Sequence, residues 1–201
     1  MCASFPAATA VLPINLSTAL QALASAGTDV DFAETATLLA SIEPPGRQEL
    51  TEDRQTGVPV MLDVAHNPDS IDALVFAVQR FVRPDPAALK HNQGTVRLVI
   101  AVMADKDIET MLASLVSIAD IWYIAQVADA RCLPAIKLGL RLKNIDPSAT
   151  MRCFDGVAEA YQTACEEALA GAEEGAEAKE GLVVVAGSFH TVAAARVLAK
   201  C

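Results

Sequence analysis

Polar side chains that could do chemistry follow three of the apolar segments of this sequence, at the points where predicted buried strands end. Asp63 and His66 follow the first segment, Lys106 follows the second, and Ser188 and His190 follow the third. If the strands are parallel, these residues share the carboxyl edge of one sheet, where open α/β sheets bind ligands. Carboxylates, a lysine, a hydroxyl and helix N-termini at one edge suit an anionic ligand.

Each candidate also has a purely structural interpretation. His66 could be a hydrogen-bonded surface residue, and Ser188 could serve only as the N-cap of the last helix. Asp107 is expected to be such a cap, which leaves Lys106 as the functional candidate of its segment. Arg47 follows a proline-proline-glycine run and could belong to a simple hinge, although an arginine fixed beside a hinge can also clamp phosphate.

The elements that must position these residues alternate between strand and helix from Arg47 onward. The segment 58–64 is apolar and β-branched enough for a strand buried on both faces, and Asn67-Pro68 suits the start of the next helix. Strands are predicted over 48–50, 58–64, 95–102, 120–125, 150–153 and 182–186, and helices over 68–81, 107–118, 133–142, 155–169 and 189–199. Repeated βα units predict an α/β domain with a Rossmann-like, doubly wound, mostly parallel sheet.

Residues 1–45 differ in character from the rest. Apolar residues recur at helical spacing over 15–26 and again over 31–41, with no strand between them. The breaker cluster at 43–46 is the expected boundary. We therefore expect a helical segment with a hinge over 1–45 and an α/β domain over 46–201.

Composition limits the classes of protein that fit. The 201 residues carry 15 basic and 25 acidic side chains, a net charge of −10, and the basic ones are scattered, which argues against a nucleic-acid binder. Five cysteines without a C-x-x-C pair indicate reduced thiols and no structural zinc site. There is no basic leader and no apolar run long enough to cross a bilayer, so a cytoplasmic globular protein without membrane contacts is expected.

Several catalytic motifs are absent from the sequence. Neither G-x-x-x-x-G-K-[ST] nor G-x-G-x-x-G occurs, so these residues contain no Walker loop and no dinucleotide fingerprint. A hydrolase triad of Ser188, His66 and Asp63 lacks the G-x-S-x-G elbow. The sequence therefore indicates only half of a ligand-binding site.

Six segments together resemble those of a known family and occur in the same order. They are Leu12-Pro13-Ile14-Asn15, Pro45-Gly46-Arg47, Leu62-Asp63-Val64-Ala65-His66-Asn67-Pro68, Asp105-Lys106-Asp107-Ile108, Trp122-Tyr123 and Gly187-Ser188-Phe189-His190-Thr191-Val192. From about residue 12 to its end, the chain resembles bacterial dihydrofolate synthase/folylpolyglutamate synthase, a family of the Mur ligase superfamily.

The resemblance implies a reaction and a division between domains. In this family ATP phosphorylates the terminal carboxylate of dihydropteroate or a folate, and the amino group of L-glutamate displaces the phosphate to form an amide. ATP and Mg²⁺ are the implied cofactors, with the phosphate loop and the magnesium ligands in a larger ATPase domain. Residues 1–45 would be the last helices of that domain, so the chain alone is expected to lack ligase activity, and the intact enzyme is expected to be a monomer.

The resemblance also implies which residues bind ATP. Asn15 would touch the adenine, Arg47 would reach the phosphates, Asp63 would hold the ribose hydroxyls, and His66 would lie against the nucleotide. Gln48 stands where the resemblance leads us to expect an aromatic residue.

For the incoming L-glutamate the resemblance implies Lys106 and Ser188, with His190 as a further candidate. An ammonium group and a hydroxyl on a helix N-terminus can bind an α-carboxylate. Two alternatives stay open at this point. One is the C-terminal domain of a peptidoglycan Mur ligase, and the other is a non-catalytic Rossmann-like module that binds a small anion.

Overall fold

The computed structural model describes residues 13–28, 31, 34–35, 38, 44–82, 94–173 and 181–200. Its helices are α1 (Pro13–Ser25), α2 (Pro68–Val82), α3 (Ile108–Leu115), α4 (Ala135–Ile145), α5 (Val157–Glu173) and α6 (Phe189–Lys200). Its strands are β1 (Glu49–Glu52), β2 (Pro59–Leu62), β3 (Val96–Ile100), β4 (Ile121–Ile124), β5 (Thr150–Cys153) and β6 (Leu182–Ala186). The predicted elements are present with ends shifted by a few residues, except that the helix predicted over 31–41 lies largely outside the described residues.

The six strands form one sheet in the order β1-β2-β6-β3-β4-β5. All neighbouring pairs from β2 to β5 are parallel, so the predicted mostly parallel sheet is confirmed. β1 runs antiparallel to β2, and the expected strict alternation of strand and helix is therefore wrong at this point. The two strands form a hairpin because Asp53 Oδ1 accepts hydrogen bonds from the amides of Gln55 and Thr56, at 3.1 and 2.9 Å, and so fixes the turn.

Helices cover both faces of the sheet. α2, α3 and α4 pack on one face, where Leu74, Leu112 and Leu138 are buried. α5 and α6 pack on the other face, partly through small residues such as Ala164 and Ala195. β3 and β6 are buried along their whole length, as expected for strands covered on both sides. The doubly wound arrangement predicted from the βα repeats is confirmed.

The N-terminal helix α1 differs from the others in burial. Leu16 is buried, whereas the other described side chains of this helix are exposed or half-buried. Within the described ranges no helix combines the length and the apolar character that crossing a bilayer requires. The division of the chain into residues 1–45 and 46–201 stays a prediction.

Candidate functional site

The three strand ends that carry polar residues lie side by side, because β6 is inserted between β2 and β3. Hydrogen bonds join the ends of these strands. The Gly187 amide donates to Ala65 O at 2.9 Å, and Thr191 Oγ1 donates to Ala101 O, also at 2.9 Å. The common edge that the sequence predicted is therefore present.

Asp63 holds the chain before β1 against the end of β2. Its side chain is buried, and its Oδ2 accepts a hydrogen bond from the Gln48 amide at 3.1 Å while Oδ1 accepts one from the Ala65 amide at 2.8 Å. Burial raises the pKa of this carboxyl, and the two amides together with Arg47 and His66 offset the rise only in part. Each carboxylate oxygen keeps a further lone pair, to which a ligand hydroxyl can donate.

Residues 44–48 form a tight turn, which we call the hinge turn. Gly46 has a φ of +68° and Gln48 a φ of +47°. The second value costs a non-glycine residue about 1–2 kcal/mol, so other contacts must hold it. The Gly46 amide donates to Glu49 Oε2 at 2.7 Å, and the Gln48 amide donates to the buried carboxylate described above. The turn is fixed in this way beside the end of β2.

His66 lies just before α2, where Asn67 acts as the N-cap. Asn67 Oδ1 accepts a hydrogen bond from the Ser70 amide at 2.9 Å, and Pro68 takes the first helical position, as predicted. His66 Nδ1 lies 2.8 Å from Val64 O. Because a carbonyl only accepts, Nδ1 carries the proton of the neutral ring, and Nε2 is left for a ligand.

Phe189 lies between Arg47 and His66 at the first position of α6. The Arg47 guanidinium carbon is 5.9 Å from the centre of the Phe189 ring, and the His66 ring centre is also 5.9 Å from it. Phe189 is 60% exposed, so part of its ring remains accessible to a ligand. Phe189 was not predicted as a site residue. An aromatic residue at the first position of a helix that follows a strand end is the signal that could have indicated it.

Ser188 is the N-cap of α6, and its hydroxyl proton is already used. Its Oγ accepts a hydrogen bond from the Thr191 amide at 3.1 Å and lies 2.6 Å from Thr191 Oγ1. Because Thr191 Oγ1 donates its single proton to Ala101 O, Ser188 must be the donor between the two hydroxyls. Ser188 can accept one more hydrogen bond but cannot donate one. The expected donation from this hydroxyl to a carboxylate therefore does not fit, whereas an ammonium group does.

A group of charged side chains lies at the ends of β3 and β4 and at the start of α6. We call it the charged cluster; its members are Asp105, Lys106, Asp129, Arg131 and His190. Lys106 Nζ lies 3.4 Å from Asp105 Oδ2, and His190 Nε2 lies 3.8 Å from Asp129 Oδ2. Arg131 donates to both oxygens of Asp129, at 3.2 Å from Nε and 2.9 Å from Nη2. The hydrogen bonds from Arg131 lower the pKa of Asp129 to about 2.

Two members of the charged cluster, Asp129 and Arg131, were not predicted from the sequence. They follow β4, and a carboxylate and a cation behind a predicted parallel strand are the same signal that identified Asp63 and Lys106. Their proximity to His190 depends on the order of the strands in the sheet, which was not predicted from the sequence.

Asn15 is exposed in the first turns of α1 and takes part in none of the contacts described above. Its role at the adenine is a prediction that no observation tests. Among the described residues, no three His, Cys, Asp or Glu side chains lie close enough together to hold a metal ion.

Comparison with known proteins identifies the class. The family model of the Mur ligase glutamate ligase domain matches residues 46–189. The chain therefore belongs to this family of glutamate ligase domains. It is similar to the dihydrofolate synthase/folylpolyglutamate synthase of Escherichia coli strain K12, with 35% identity over 179 residues that cover 89% of this chain and 36% of the relative. The enzyme of the same name from Haemophilus influenzae is 27% identical over 197 residues, with 89% of this chain and 40% of the relative covered.

Solved structures agree with this assignment. E. coli FolC in complex with DHPP and ADP matches with a TM-score of 0.68 and 34% identity, over 96% of this chain and 39% of that one. A bifunctional folylpolyglutamate synthase/dihydrofolate synthase with Mn, AMPPNP and L-glutamate bound matches with a TM-score of 0.69 and 28% identity, over 98% of this chain and 41% of that one. The chain spans about two fifths of the length of these relatives. The resemblance inferred from the six segments is confirmed.

Proposed function

We propose that this chain supplies nucleotide-binding and glutamate-binding groups to an ATP-dependent ligase that adds L-glutamate to dihydropteroate, to folates or to both. The observation that carries the proposal is the position of the first turn of α6. Phe189 contacts Arg47 and His66, while its neighbour His190 reaches the charged cluster. Two different subsites therefore meet at one helix N-terminus, which is what a transfer between two bound substrates requires.

The nucleotide would lie on the side of Arg47, Phe189 and His66. Arg47 is the cation for the phosphates, because a guanidinium can bind two phosphate oxygens at once. The free Nε2 of His66 and the exposed ring of Phe189 would contact the rest of the nucleotide. Asp63 would accept a hydrogen bond from a ribose hydroxyl through an unused lone pair. The adenine contact of Asn15 belongs to the same proposal.

Glutamate would lie in the charged cluster, whose alternating charges match a zwitterionic amino acid. Lys106 and Arg131 can bind its carboxylates, with further N–H groups from the first turn of α6, which have no intrahelical acceptor. The ammonium group can donate to Ser188 Oγ or to the carboxylate of Asp129. His190 would close this subsite toward the nucleotide. A small inorganic anion would bring only negative charge close to the two aspartates, whereas an amino acid also brings an ammonium group, which favours an amino acid as the ligand.

The reaction proceeds in two displacements. The γ-phosphoryl group of ATP moves to the terminal carboxylate of the acceptor, giving ADP and an acyl phosphate. The glutamate amine then forms the C–N bond while the C–O bond to phosphate breaks, and the nitrogen releases a proton. The described residues orient the amine and the phosphates in this scheme. A cytoplasmic location, a monomeric parent enzyme and the absence of nucleic-acid and membrane partners complete the proposal.

The first test is calorimetric titration of the 201-residue chain with L-glutamate and, separately, with ATP and Mg²⁺. L-Glutamate should bind weakly to the wild type and to the control Lys137→Ala, which alters an exposed lysine of α4. Binding should be lost in Lys106→Ala. ATP binding should weaken in Asp63→Ala but not in Lys106→Ala. L-Glutamine is the control ligand, because it keeps the α-groups and lacks the second carboxylate.

Two results would contradict the proposal. One is that Lys106→Ala and Lys137→Ala bind glutamate equally strongly, which would show that the amino acid does not bind in the charged cluster. The other is amide formation by the purified chain alone with ATP, magnesium ion, dihydropteroate and glutamate, since the phosphate loop is expected outside these residues.

A further inference from the structure

One face of α6 packs against the hinge turn. Phe189, Val192 and Arg196 are spaced i, i+3 and i+7, which places them in a row on one side of a helix. We call this row the clamp face. The row begins with Phe189, and the guanidinium carbon of Arg47 in the hinge turn lies 5.9 Å from the centre of its ring. At this distance a guanidinium is attracted to the face of an aromatic ring.

The middle of the clamp face packs against Gly46. A Cβ atom at this glycine would lie 3.0 Å from Val192 Cγ1 and 3.1 Å from Val64 Cγ1. The valine from the helix and the valine behind β2 therefore enclose the glycine backbone from two sides. The positive φ of +68° at Gly46 adds a second reason for glycine here.

The far end of the clamp face reaches the hinge turn through Glu49. Arg196 Nε lies 3.2 Å from Glu49 Oε1 and 3.0 Å from Oε2. The same Oε2 accepts the hydrogen bond from the Gly46 amide at 2.7 Å. One carboxylate thus joins the helix to the backbone on the N-terminal side of Arg47. The Glu49 side chain is only 14% exposed, so solvent screens this pair less than a surface pair.

We propose that the clamp face positions Arg47 and that Arg196 and Glu49 are positioning residues for nucleotide binding. The contacts described above join these two residues to each other and to the hinge turn. They act through the hinge turn, because the Glu49 carboxylate fixes the Gly46 amide and the Phe189 ring fixes the Arg47 guanidinium. The nucleotide part of this inference rests on the proposed function, in which Arg47 binds the phosphates.

The arrangement also explains how one helix serves both subsites. The N-terminal turn of α6 brings His190 into the charged cluster, while Phe189 of the clamp face contacts Arg47. The distance between the phosphate-binding group and the amine-binding groups is therefore set within α6 and the turn packed on it. A fixed distance of this kind is a condition for efficient transfer between two substrates.

The test compares two arginines that each pair with a glutamate and that have the same shortest distance and nearly equal exposure. Arg196 and Arg141 each lie 3.0 Å from a glutamate oxygen, and their side chains are 38% and 39% exposed. Arg141 pairs with Glu109, away from the hinge turn. Arg196→Met and the control Arg141→Met thus remove the same kind of group from two different places.

The readouts are NMR signals that do not require a ligand. In Arg196→Met the Glu49 carboxylate loses its arginine partner and should hold the Gly46 amide less firmly. This amide should then exchange with solvent about three- to tenfold faster, which corresponds to the net contribution of one hydrogen bond. The Arg47 side-chain Nε–H signal should lose the ring-current shift that Phe189 causes, as it does in Phe189→Leu. Arg141→Met should change neither signal. Arg196→Lys should restore most of the exchange protection, because an ammonium can still pair with Glu49.

The second readout is the dissociation constant for ATP with Mg²⁺. It should rise about three- to tenfold in Arg196→Met, since an Arg47 side chain that is no longer held must be ordered on binding. Unchanged Gly46 exchange and Arg47 signals in Arg196→Met would overturn the inference. If the signals change as expected but the wild type binds no ATP, the clamp face stands and the proposed nucleotide function fails. If ATP binds equally well to wild type and Arg196→Met, the positioning role is wrong.

Discussion

The Ser188 hydroxyl donates to Thr191 Oγ1, and Thr191 donates in turn to the carbonyl of Ala101 behind β3. All three residues are buried. These two hydrogen bonds, which we call the relay, join the N-cap of α6 to the end of the neighbouring strand. The position of the helix N-terminus therefore depends on both of them. In a buried environment each link strengthens the next and is difficult to replace with water.

Replacing Thr191 by valine should lower the free energy of unfolding by about 1–3 kcal/mol, because the isosteric side chain leaves the buried Ala101 carbonyl without its donor. Urea denaturation measures the change. Thr163→Val is the matched control, since Thr163 Oγ1 also donates to a carbonyl, at 2.8 Å, but at the protein surface. Equal effects of the two substitutions would show that the relay has no special role.

Gly187 should tolerate no side chain. Its φ is +111°, and an added Cβ would lie 2.4 Å from Ala101 O, a backbone atom that cannot rotate away. Gly57 also has a positive φ, +71°, but has open space around it. An alanine at Gly57 therefore measures the cost of backbone strain without a clash. Gly57→Ala should destabilise the protein by about 1–2 kcal/mol. Gly187→Ala should destabilise it by about 3 kcal/mol or more, which thermal or urea unfolding would detect. Similar losses in both variants would contradict the close approach.

Much of the fold could be predicted because its signals are local. Continuous apolar runs gave the strands, and Asn67-Pro68 gave the start of α2 correctly. The β1–β2 hairpin was missed because its turn depends on Asp53, whose role becomes visible only with the hydrogen bonds that it accepts. The role of Arg97 was not predicted, because this residue stands within an otherwise apolar strand. It is buried in β3 and donates a hydrogen bond to Glu167 O of α5 at 3.0 Å.

The candidate site was predicted in part for the same reason. Asp63 stands directly behind β2, and Lys106 lies in the segment between β3 and α3, so sequence position alone brings them to the sheet edge. The links between Phe189 and Arg47 and between His190 and Asp129 join residues far apart in sequence. They exist only because β6 returns to the middle of the sheet, and no local pattern encodes that order.

Asp129 should remain ionised down to unusually low pH. The two side-chain hydrogen bonds from Arg131 lower the pKa of Asp129 to about 2. The NMR signal of the Asp129 side-chain carboxyl carbon should therefore titrate near that value. In Arg131→Met the pKa of Asp129 should rise toward the ordinary value of about 3.9, because the charged partner is lost. Arg141→Met should leave it unchanged. An Asp129 titration near pH 4 in the wild-type chain would contradict the paired geometry.

The link between the β1–β2 hairpin and α5 should depend on pH. Burial alone would raise the pKa of Asp53, but hydrogen bonds from Thr56, Tyr161 and Gln55 outweigh it, so the pKa lies below its ordinary value. A carboxyl of this kind contributes stability that is present above the pKa of the unfolded chain, about 3.9, and is lost as the pH falls through the folded value. Tyr161 OH donates to Asp53 Oδ2 at 2.8 Å and is part of this contribution.

Asp53→Asn should therefore lower the free energy of unfolding by about 2 kcal/mol at pH 7, since it removes hydrogen bonds to a charged group. The difference from wild type should shrink as the pH falls below about 4, where the native carboxyl also becomes neutral. Urea denaturation at pH 7 and pH 3 measures both values. Asp146→Asn is the control, because Asp146 accepts similar hydrogen bonds from Ser148 in an exposed turn, where their loss should matter little. A difference for Asp53→Asn that stays constant between the two pH values would show that the carboxylate charge does not hold the hairpin on α5.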